Sequence, residues 1–475
     1  MFVNRMPRYE ILSADAMSVL DTGWRRLMTE IGVEFMSERA LELFRKAGQK
    51  VSENTVFLDP DFVLEQVALA PREFDVRARN PAHSLHIGGD HMAFGAVYGP
   101  PFVRDGAVRR DATLDDFRRF TMLSQSFGEL DSAGGVICEP NDVPLDSRHL
   151  DMVYALQTLT DKVYMGNVVS GENARDTIAM SAILHGSASV PSSISLINCN
   201  SPLRWDDRML DAQFEYSAAG QPVVLTPFLL MGAMSPVTIP AALVQQITEA
   251  LSGIALSQLI NPGCPVIFGS FLSNIDMQSG SPCFGTAESA TGLLCTGQIA
   301  RHFGLPFRSG GSLTSSQVPD AQAAYEGLMT MLPTFLAGVN WVMHTAGWLE
   351  GGLVAGYEKF VIDMQLLEVL QQEFTPLEIT EESLAFGAHE EVGHGGHFLG
   401  AAHTMERFRT CFYRPFLSSS KNYERWMRDG AEDTAARAGN IARTRLAEYE
   451  PPPLDEAIRA ELEEYVTRRR TELGD

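Results

Sequence analysis

The sequence predicts an α/β protein built on a (β/α)8 barrel of the TIM type. Short apolar strand patterns alternate with amphipathic helical patterns at regular spacing from 113 to 374. Strands that are apolar throughout indicate a parallel sheet with both faces covered by helices. A doubly wound open sheet is the alternative, but no GxGxxG motif opens the first βα turn, which counts against a dinucleotide fold. The barrel is therefore the better fit.

Seven strands of this barrel can be placed, and each is an apolar run followed by a helical pattern. They are 135–138, 163–168, 194–199, 223–228, 266–271, the short run before Gly310, and 341–345. No eighth strand is obvious, although 353–355 or 397–399 could serve. We predict a barrel over 113–419, with an N-terminal α+β elaboration over 1–112 and a C-terminal helical tail over 420–475.

Composition and charge restrict the class of protein. The 475 residues include 37 Lys and Arg against 60 Asp and Glu, and the net charge of −23 argues against a nucleic-acid partner. No apolar run reaches the ~18 residues of a membrane span, and the N-terminus lacks the pattern of a secretory signal. The six cysteines form no CxxC pair, as is typical of reduced, buried thiols. These features indicate a cytoplasmic protein without a membrane partner.

The stretch 306–350 reads as a strand, a Gly-rich loop, a helix and a second strand. The first strand breaks at Gly310 and Gly311, Asp320 opens the helix, and the second strand presents His344. In a parallel β/α unit the loop after each strand faces the ligand. We therefore expect this stretch to contribute to a ligand site.

The same stretch carries a resemblance to a known family. Its run SGGSLTSSQVPDAQAAYE, the strand with His344 and the following AGWLEGG resemble the trimethylamine methyltransferase superfamily, as do the segment GHGGHFLGAAHTMERFR and the helices before Asp59. The resemblance implies that the nucleophile is the reduced cobalt of a separate corrinoid protein. The founding members carry pyrrolysine, whereas this sequence has only standard residues. It therefore resembles the branch without pyrrolysine, whose members demethylate quaternary amines such as glycine betaine.

The ends of the predicted strands are poor in acids, bases and nucleophiles. Glu139 is the one carboxylate there, no Lys is present, and the GxSxG, HExxH and P-loop motifs are absent. A quaternary ammonium donor needs no general base, because its nitrogen carries no proton and leaves as a neutral tertiary amine. Positioning and exclusion of water would then carry the catalysis.

Aromatic side chains near the strand ends are the predicted substrate-binding groups. Aromatic faces hold quaternary ammonium groups, since a methylated nitrogen cannot donate hydrogen bonds. Any one of these side chains could instead be an ordinary core aromatic. The candidates are Phe94, Tyr98, Phe228, Phe271, Trp341 and Trp348.

Polar groups complete the predicted site. His344 is the predicted catalytic residue; it could orient a substrate carboxylate or contact the incoming nucleophile, or it could be a satisfied core histidine. Gly310 and Gly311 could present N–H groups to a carboxylate, or could form a plain tight turn. Asn200, which follows a predicted strand, is a further substrate-binding candidate.

Four histidines lie close together in the segment HEEVGHGGHFLGAAH: His389, His394, His397 and His403. Their spacing matches no common zinc site and Cys partners are missing, so no metal is expected. The segment is similar to a Gly-rich loop on the ligand side of the family's fold. By this resemblance, His397 is predicted to contact the substrate.

The resemblance therefore implies a cytoplasmic methyltransferase that takes a methyl group from a small quaternary amine, with glycine betaine, which would give dimethylglycine, as the first choice. The resemblance implies that the acceptor is a corrinoid (cobalamin) carried by a partner protein. Two alternatives stay open: direct methyl transfer to tetrahydrofolate, and a non-catalytic protein that binds quaternary amines. A homo-oligomer is expected.

Overall fold

A computed structural model describes all 475 residues of the chain as a mixed α/β fold. The strands are β1 (Phe2–Val3), β2 (Val33–Phe35), β3 (Lys50–Ser52), β4 (Thr55–Phe57), β5 (Phe74–Val76), β6 (Leu85–Ile87), β7 (His91–Phe94), β8 (Phe102–Asp105), β9 (Val108–Asp111), β10 (Tyr164–Met165), β11 (Ser193–Cys199), β12 (Arg204–Trp205), β13 (Val223–Met231), β14 (Val266–Gly269), β15 (Phe271–Ile275), β16 (Pro282–Cys283), β17 (Phe307–Ser309), β18 (Trp341–Val342), β19 (Trp348–Leu349) and β20 (Val354–Gly356).

The α-helices are α1 (Ala14–Arg26), α2 (Glu38–Lys46), α3 (Pro60–Leu69), α4 (Leu114–Ser126), α5 (Arg148–Leu159), α6 (Gly171–His185), α7 (Asp207–Ala218), α8 (Ile239–Ile260), α9 (Ala287–His302), α10 (Ala321–Ala337), α11 (Tyr357–Glu373), α12 (Phe386–Val392), α13 (Ala402–Arg407), α14 (Tyr423–Arg428), α15 (Thr434–Ala447) and α16 (Glu456–Leu473). Many begin at a side-chain cap that the sequence supplies. Asp320, for example, accepts a hydrogen bond from the Ala323 N–H and so fixes the start of α10.

The main sheet is curled and its central strands are parallel. Its order is β7-β18-β17-β14-β13-β11-β10, and all of these neighbours pair in parallel. Single parallel bridges also join Gly95 to Ser132 and Ser132 to Val163. Helices such as α7, α8 and α9 connect successive strands and cover the outer face, as the alternation of patterns in the sequence predicts.

Six of the seven predicted strands coincide with observed strands, and one does not. The predicted strand 135–138 is irregular, and the chain joins the sheet there only through the bridges of Ser132. One bridging residue is too short to produce the apolar run by which a strand is recognised in a sequence.

The strand beside β18 is β7, which comes from the N-terminal region. Neither predicted candidate for the eighth strand lies in the main sheet: β20 pairs with β8 and β19 in a smaller sheet, and residues 398–400 form a 3-10 turn. The predicted boundary at residue 112 therefore separates two neighbouring strands of one sheet. Pairing between segments about 250 residues apart leaves no local pattern in the sequence, which is why this strand was misplaced.

An apolar cluster fills the inner face of the curled sheet. It is built from alternate residues of the strands, because successive side chains in a strand point to opposite faces. The hairpin of β5 and β6 packs against the same cluster. The members on the main sheet or next to its strands are Ala93, Val163, Met165, Ile194, Leu196, Val224, Ile267, Trp341 and Met343.

The terminal regions pack on the outside of the fold. The N-terminal helices α1 and α3 contact α8, and the C-terminal helices α15 and α16 lie against α11 and α6, respectively. The helix α8 is long and apolar enough to span a membrane by length and composition alone. However, 78% of its apolar window is buried inside the protein, as is typical of a core helix.

A buried ion pair ties two loops at the carboxyl end of the sheet to α11. The Lys359 ammonium contacts the Asp363 carboxylate one helical turn away, and it also donates to the Ser312 carbonyl at 3.1 Å. Asp363 accepts hydrogen bonds from the Ser312 hydroxyl at 2.7 Å and from the Gly347 N–H at 2.9 Å. Burial raises the pKa of Asp363 and lowers the pKa of Lys359, while each charge favours the ionised form of the other. The pair therefore fixes the loops that follow β17 and β18.

We expect Asp363→Ala to lower the free energy of unfolding by about 3–5 kcal/mol, because it leaves the Lys359 charge buried without a partner. The double variant Lys359→Met/Asp363→Leu should be clearly more stable than Asp363→Ala, since it removes both charges. Glu30→Ala, which breaks an exposed pair with Arg26, is the control and should leave the stability almost unchanged, because solvent screens such a pair. Urea unfolding midpoints give the comparison. Equal stabilities of Asp363→Ala and Glu30→Ala would contradict the anchoring role.

Candidate active site

Five ring side chains pack together at the carboxyl end of the main sheet: Phe228, Phe271, Phe284, His344 and Trp348. We call them the aromatic cluster. Phe271 is central, with its ring centroid 5.0 Å from Phe228, 5.6 Å from Phe284, 5.6 Å from His344 and 5.9 Å from Trp348. Trp348 lies 4.5 Å from the His344 ring and 5.3 Å from the Phe284 ring. Four of these five rings are buried, and Phe228 is half-buried.

Strand register brings the cluster together. The upper half of β13 pairs in parallel with β15, and this register places Phe228 directly beside Phe271. His344 follows β18 and Trp348 begins β19, so the short turn between these strands places both rings on the same side. The Trp348 indole N–H donates to the Thr314 carbonyl at 3.1 Å, which fixes its ring against the loop after β17. The cluster therefore gathers residues from four separate chain segments.

His344 has an unusual backbone and a well-defined protonation state. Its φ of 58° lies in the left-handed region, which non-glycine residues rarely occupy outside turns and functional sites. Its side chain is 5% exposed, and burial, followed by the nearby Arg308 charge, holds its pKa well below the usual range. His344 is therefore a neutral imidazole at physiological pH.

Arg308 lies beside this imidazole and is the main group that the sequence analysis missed. Its Nη2 is 3.2 Å from His344 Nε2, its Nη1 donates to the Ser270 carbonyl at 3.0 Å, and its Nε lies 3.2 Å from Met343 Sδ. A guanidinium only donates, so His344 Nε2 is the acceptor and the imidazole proton is on Nδ1. That Nδ1 has no hydrogen-bond partner in the chain. The sequence did contain one sign of this residue, because an arginine in the middle of the short buried strand β17 is unusual.

The Arg308 guanidinium is 1% exposed and lies over the Phe271 ring, with its central carbon 5.5 Å from the ring centroid. Burial lowers the pKa of Arg308 to about 9. The side chain therefore remains cationic at neutral pH. No carboxylate of the chain contacts it, because its polar contacts end on a carbonyl, a thioether and an imidazole.

Tyr98 borders the same region from the loop after β7. The Gly99 N–H donates to the Val136 carbonyl at 2.7 Å and the Glu139 N–H donates to the Pro100 carbonyl at 2.9 Å, so two loops are joined there. Burial is the main cause that raises the pKa of Tyr98, and the charge of Glu139 raises it further. The hydroxyl therefore stays protonated. Glu139 itself forms an ion pair with Arg148, so its carboxylate already has a partner within the chain.

Four predicted site residues lie elsewhere. Phe94 faces outward and stacks on Phe335 of α10, with ring centroids 5.6 Å apart. Trp341 belongs to the apolar cluster inside the sheet and not to the aromatic cluster. Asn200 and His397 are exposed side chains, and His397 caps a 3-10 turn in a largely exposed segment. Adjacent residues of a strand point to opposite faces, so a sequence without a known register cannot decide which face an aromatic occupies.

Gly310 and Gly311 are required by close packing. Both have positive φ, and a Cβ on Gly311 would lie 2.3 Å from the Met343 carbonyl oxygen. The next residue, Ser312, donates its N–H to the His344 carbonyl at 2.9 Å. This loop therefore supports the backbone of His344, and a carboxylate nest at the two glycines stays a prediction.

Phe284 is the other member of the aromatic cluster that the sequence analysis did not predict. It follows β16 in the excursion between β15 and α9, where the sequence has no strand or helix pattern that would place it near the site. No group of three or more His, Cys, Asp or Glu side chains is placed to hold a metal ion, and the four clustered histidines form no such group.

Comparisons with known proteins give one family over nearly the whole chain. A family model described as trimethylamine methyltransferase (MTTB) matches residues 1–474. A glycine betaine methyltransferase of Desulfitobacterium hafniense strain Y51 is 40% identical over 99% of both chains. A trimethylamine methyltransferase, MttB, of D. hafniense strain DCB-2 is 28% identical over 97% of this chain and 94% of its own. A proline betaine:corrinoid methyltransferase of Eubacterium limosum is 26% identical over 98% of this chain and 99% of its own.

Among solved structures, the monomethylamine methyltransferase MtmB of Methanosarcina barkeri superposes with a TM-score of 0.55 at 10% identity, covering 94% of this chain and 90% of its own. At that identity the match concerns the fold alone. The family match over nearly the whole chain and the 40% identical relative are decisive: the chain belongs to the trimethylamine methyltransferase (MTTB) family and is a methyltransferase.

Proposed function

We propose that the protein takes a methyl group from glycine betaine, giving dimethylglycine, and passes it to the Co(I) of a corrinoid carried by a partner protein. The observation that carries this proposal is the aromatic cluster at the carboxyl end of the sheet. The 40% identical glycine betaine methyltransferase supports the choice of substrate. The similarity to the proline betaine:corrinoid methyltransferase of Eubacterium limosum supports the choice of a corrinoid as acceptor.

The aromatic cluster suits a quaternary ammonium group. Such a cation cannot donate hydrogen bonds, and the faces of Phe and Trp rings attract it electrostatically. Buried rings also exclude water, which strengthens this attraction and protects a reactive methyl acceptor. We assign the trimethylammonium group to the faces of the Phe228, Phe271 and Trp348 rings.

No side chain has to remove a proton in this reaction. The attack breaks one carbon–nitrogen bond, the electron pair stays on nitrogen, and dimethylglycine leaves as a neutral tertiary amine. The neutral His344 therefore orients the substrate, and the chain contributes positioning and desolvation to catalysis. The corrinoid, when its protein is docked, supplies the two-electron nucleophile that accepts the methyl group.

We further infer that the curled sheet closes as an eight-stranded (β/α)8 barrel. Support comes from the two parallel bridges of Ser132, which connect β7 to the residue before β10 and would complete the ring. In such a barrel the aromatic cluster lies at the carboxyl-terminal mouth, where barrel enzymes carry their active sites.

We place the protein in the cytoplasm, because a Co(I) acceptor requires a reducing compartment. The homo-oligomer expected from the sequence stays a prediction, which light scattering would measure.

The proposed reaction is tested with methyl-labelled glycine betaine. We expect labelled methyl on the corrinoid and formation of dimethylglycine when the protein is mixed with a reduced corrinoid protein, and none when either protein is omitted. Label on tetrahydrofolate without corrinoid would instead establish direct transfer. Tight betaine binding without transfer to either acceptor would make the protein a binding protein.

We expect Phe271→Leu and Trp348→Leu each to weaken glycine betaine binding by roughly three- to thirtyfold, because a cation over an aromatic face is worth about 0.5–2 kcal/mol. Phe94→Leu is the matched control: it also removes a buried aromatic ring, but one that faces α10. It should reduce thermal stability and leave affinity unchanged. Isothermal titration calorimetry measures the three affinities, and unchanged values in both cluster variants would exclude the aromatic cage.

We expect His344→Ala to lower methyl transfer at least about tenfold without unfolding the protein, because the substrate loses an orienting group. His344→Asn is the matched variant. Asn tolerates the positive φ and keeps a side-chain N–H near the position of Nδ1, so it should retain more activity than Ala.

The pH profile separates orientation from base catalysis. Because the folded-state pKa of His344 lies well below the usual value of about 6.5, His344 should produce no step in turnover between about pH 6 and pH 8. Raising the pH should not rescue His344→Ala. A wild-type rate that rises through pH 6–7, with that step lost in the variant, would identify His344 as a base.

A further inference from the structure

Arg308 is a buried cation whose negative partner is missing from the chain. Three other arginines are paired with carboxylates of the chain that are buried or half-buried: Arg110 with Asp116, Arg148 with Glu139 and Arg469 with Asp176. Arg308 is more buried than any of these three, yet its contacts are a carbonyl, a thioether and an imidazole. Buried charges in proteins are normally paired, because taking an ion out of water costs several kcal/mol. An unpaired one needs an explanation.

The unused hydrogen-bond donors around Arg308 all belong to the same site. A guanidinium has five N–H groups, and the contacts to Ser270, Met343 and His344 use three of them, which leaves two. The neighbouring His344 Nδ1–H has no partner in the chain. Tyr98 packs against the apolar cluster that contains Met343 and Trp341, and burial keeps its hydroxyl protonated. The site thus presents donors and no free anionic acceptor.

We propose that Arg308 binds the carboxylate of the substrate, and that this contact selects quaternary amines that carry a carboxylate over those that do not. The inference rests on the proposed function, and it makes Arg308 the residue that determines which quaternary amines that site binds. A zwitterion matches the arrangement at both ends: its ammonium group meets the aromatic cluster, and its carboxylate supplies the missing counter-charge. Since Phe271 contacts the guanidinium directly, the two ends are bound side by side.

The same arrangement works against other methylated amines. Choline has the same trimethylammonium group, but its hydroxyl would leave Arg308 buried with no negative charge, and a second cation would then be added beside the first. A site built around a charged hydrogen-bond partner strongly rejects an analogue that lacks it, because the buried group is left unpaired. Arg308 is thus a binding residue whose effect appears as discrimination between substrates.

The first experiment compares Arg308→Met with wild type. We expect Arg308→Met to fold and to be at least as heat-stable as wild type without ligand, because replacing an unpaired buried charge with an apolar side chain removes a desolvation cost. We expect its affinity for glycine betaine to fall at least about 100-fold, and its affinity for choline to stay equal or rise. Arg469→Met is the control: it breaks a pair inside the chain, so it should lose stability and keep its affinity for betaine.

The second experiment needs no variant and therefore decides the question even if Arg308→Met fails to fold. Calorimetry on the wild-type protein compares glycine betaine with its methyl ester and with choline, which share the trimethylammonium group but lack the carboxylate. We expect a preference of at least about 100-fold for glycine betaine over both.

The outcomes separate the two proposals. The role of Arg308 would be overturned if the wild-type protein bound choline and the ester as tightly as betaine. It would also be overturned if Arg308→Met bound betaine as tightly as wild type. Neither result would contradict methyl transfer from quaternary amines. Wild-type protein that binds and demethylates none of the three would overturn the proposed function, and this inference with it.

Discussion

The buried ion pair of Lys359 and Asp363 is the contact on which the geometry of the site depends. Asp363 accepts from Ser312 in one loop and from Gly347 in the other, so a single carboxylate holds the loops that follow β17 and β18. His344 and Trp348 belong to, or adjoin, the second of these loops. Their rings are therefore positioned by a charge network outside the aromatic cluster, on the first two turns of α11. Such a support is typical of sites in which positioning, and not proton transfer, carries the catalysis.

Two buried cations at this end of the sheet play different parts. Lys359 has its carboxylate one helical turn away, and the pair is complete without a ligand. Arg308 has no carboxylate, and its contacts solvate the charge only in part. The first arrangement is self-sufficient and stabilises the fold, whereas the second is completed only when a negative group enters the site. The contrast between the two identifies which charge belongs to the scaffold and which to the ligand.

Much of the fold could be predicted from the sequence, because six strands were long enough or apolar enough to show a local pattern. The elements that were missed or misplaced are those that long-range pairing defines. Ser132 joins the sheet through bridges of a single residue, and β7 pairs with β18 across about 250 residues. Four of the predicted site residues, His344, Phe271, Phe228 and Trp348, lie together in the aromatic cluster, and their role in binding stays a prediction. The sequence alone could not show that Phe94 and Trp341 lie outside the aromatic cluster, because the direction in which a strand residue points depends on the strand register.

The hydrogen-bonding character of the site argues for a quaternary amine over a protonated tertiary one. The only imidazole acceptor, His344 Nε2, is occupied by Arg308, and the Trp348 N–H and His344 Nδ1–H are donors. Protonated trimethylamine carries an N–H that would be buried among these groups without an acceptor, at a cost of about 1–3 kcal/mol. A trimethylammonium group with a fourth carbon has no such proton and loses nothing there. The His344 Nδ1–H and the two unused Arg308 N–H groups cannot accept an N–H, but they are the donors that a carboxylate requires. The site therefore suits both ends of a betaine, with donors for the carboxylate and aromatic faces for the ammonium group.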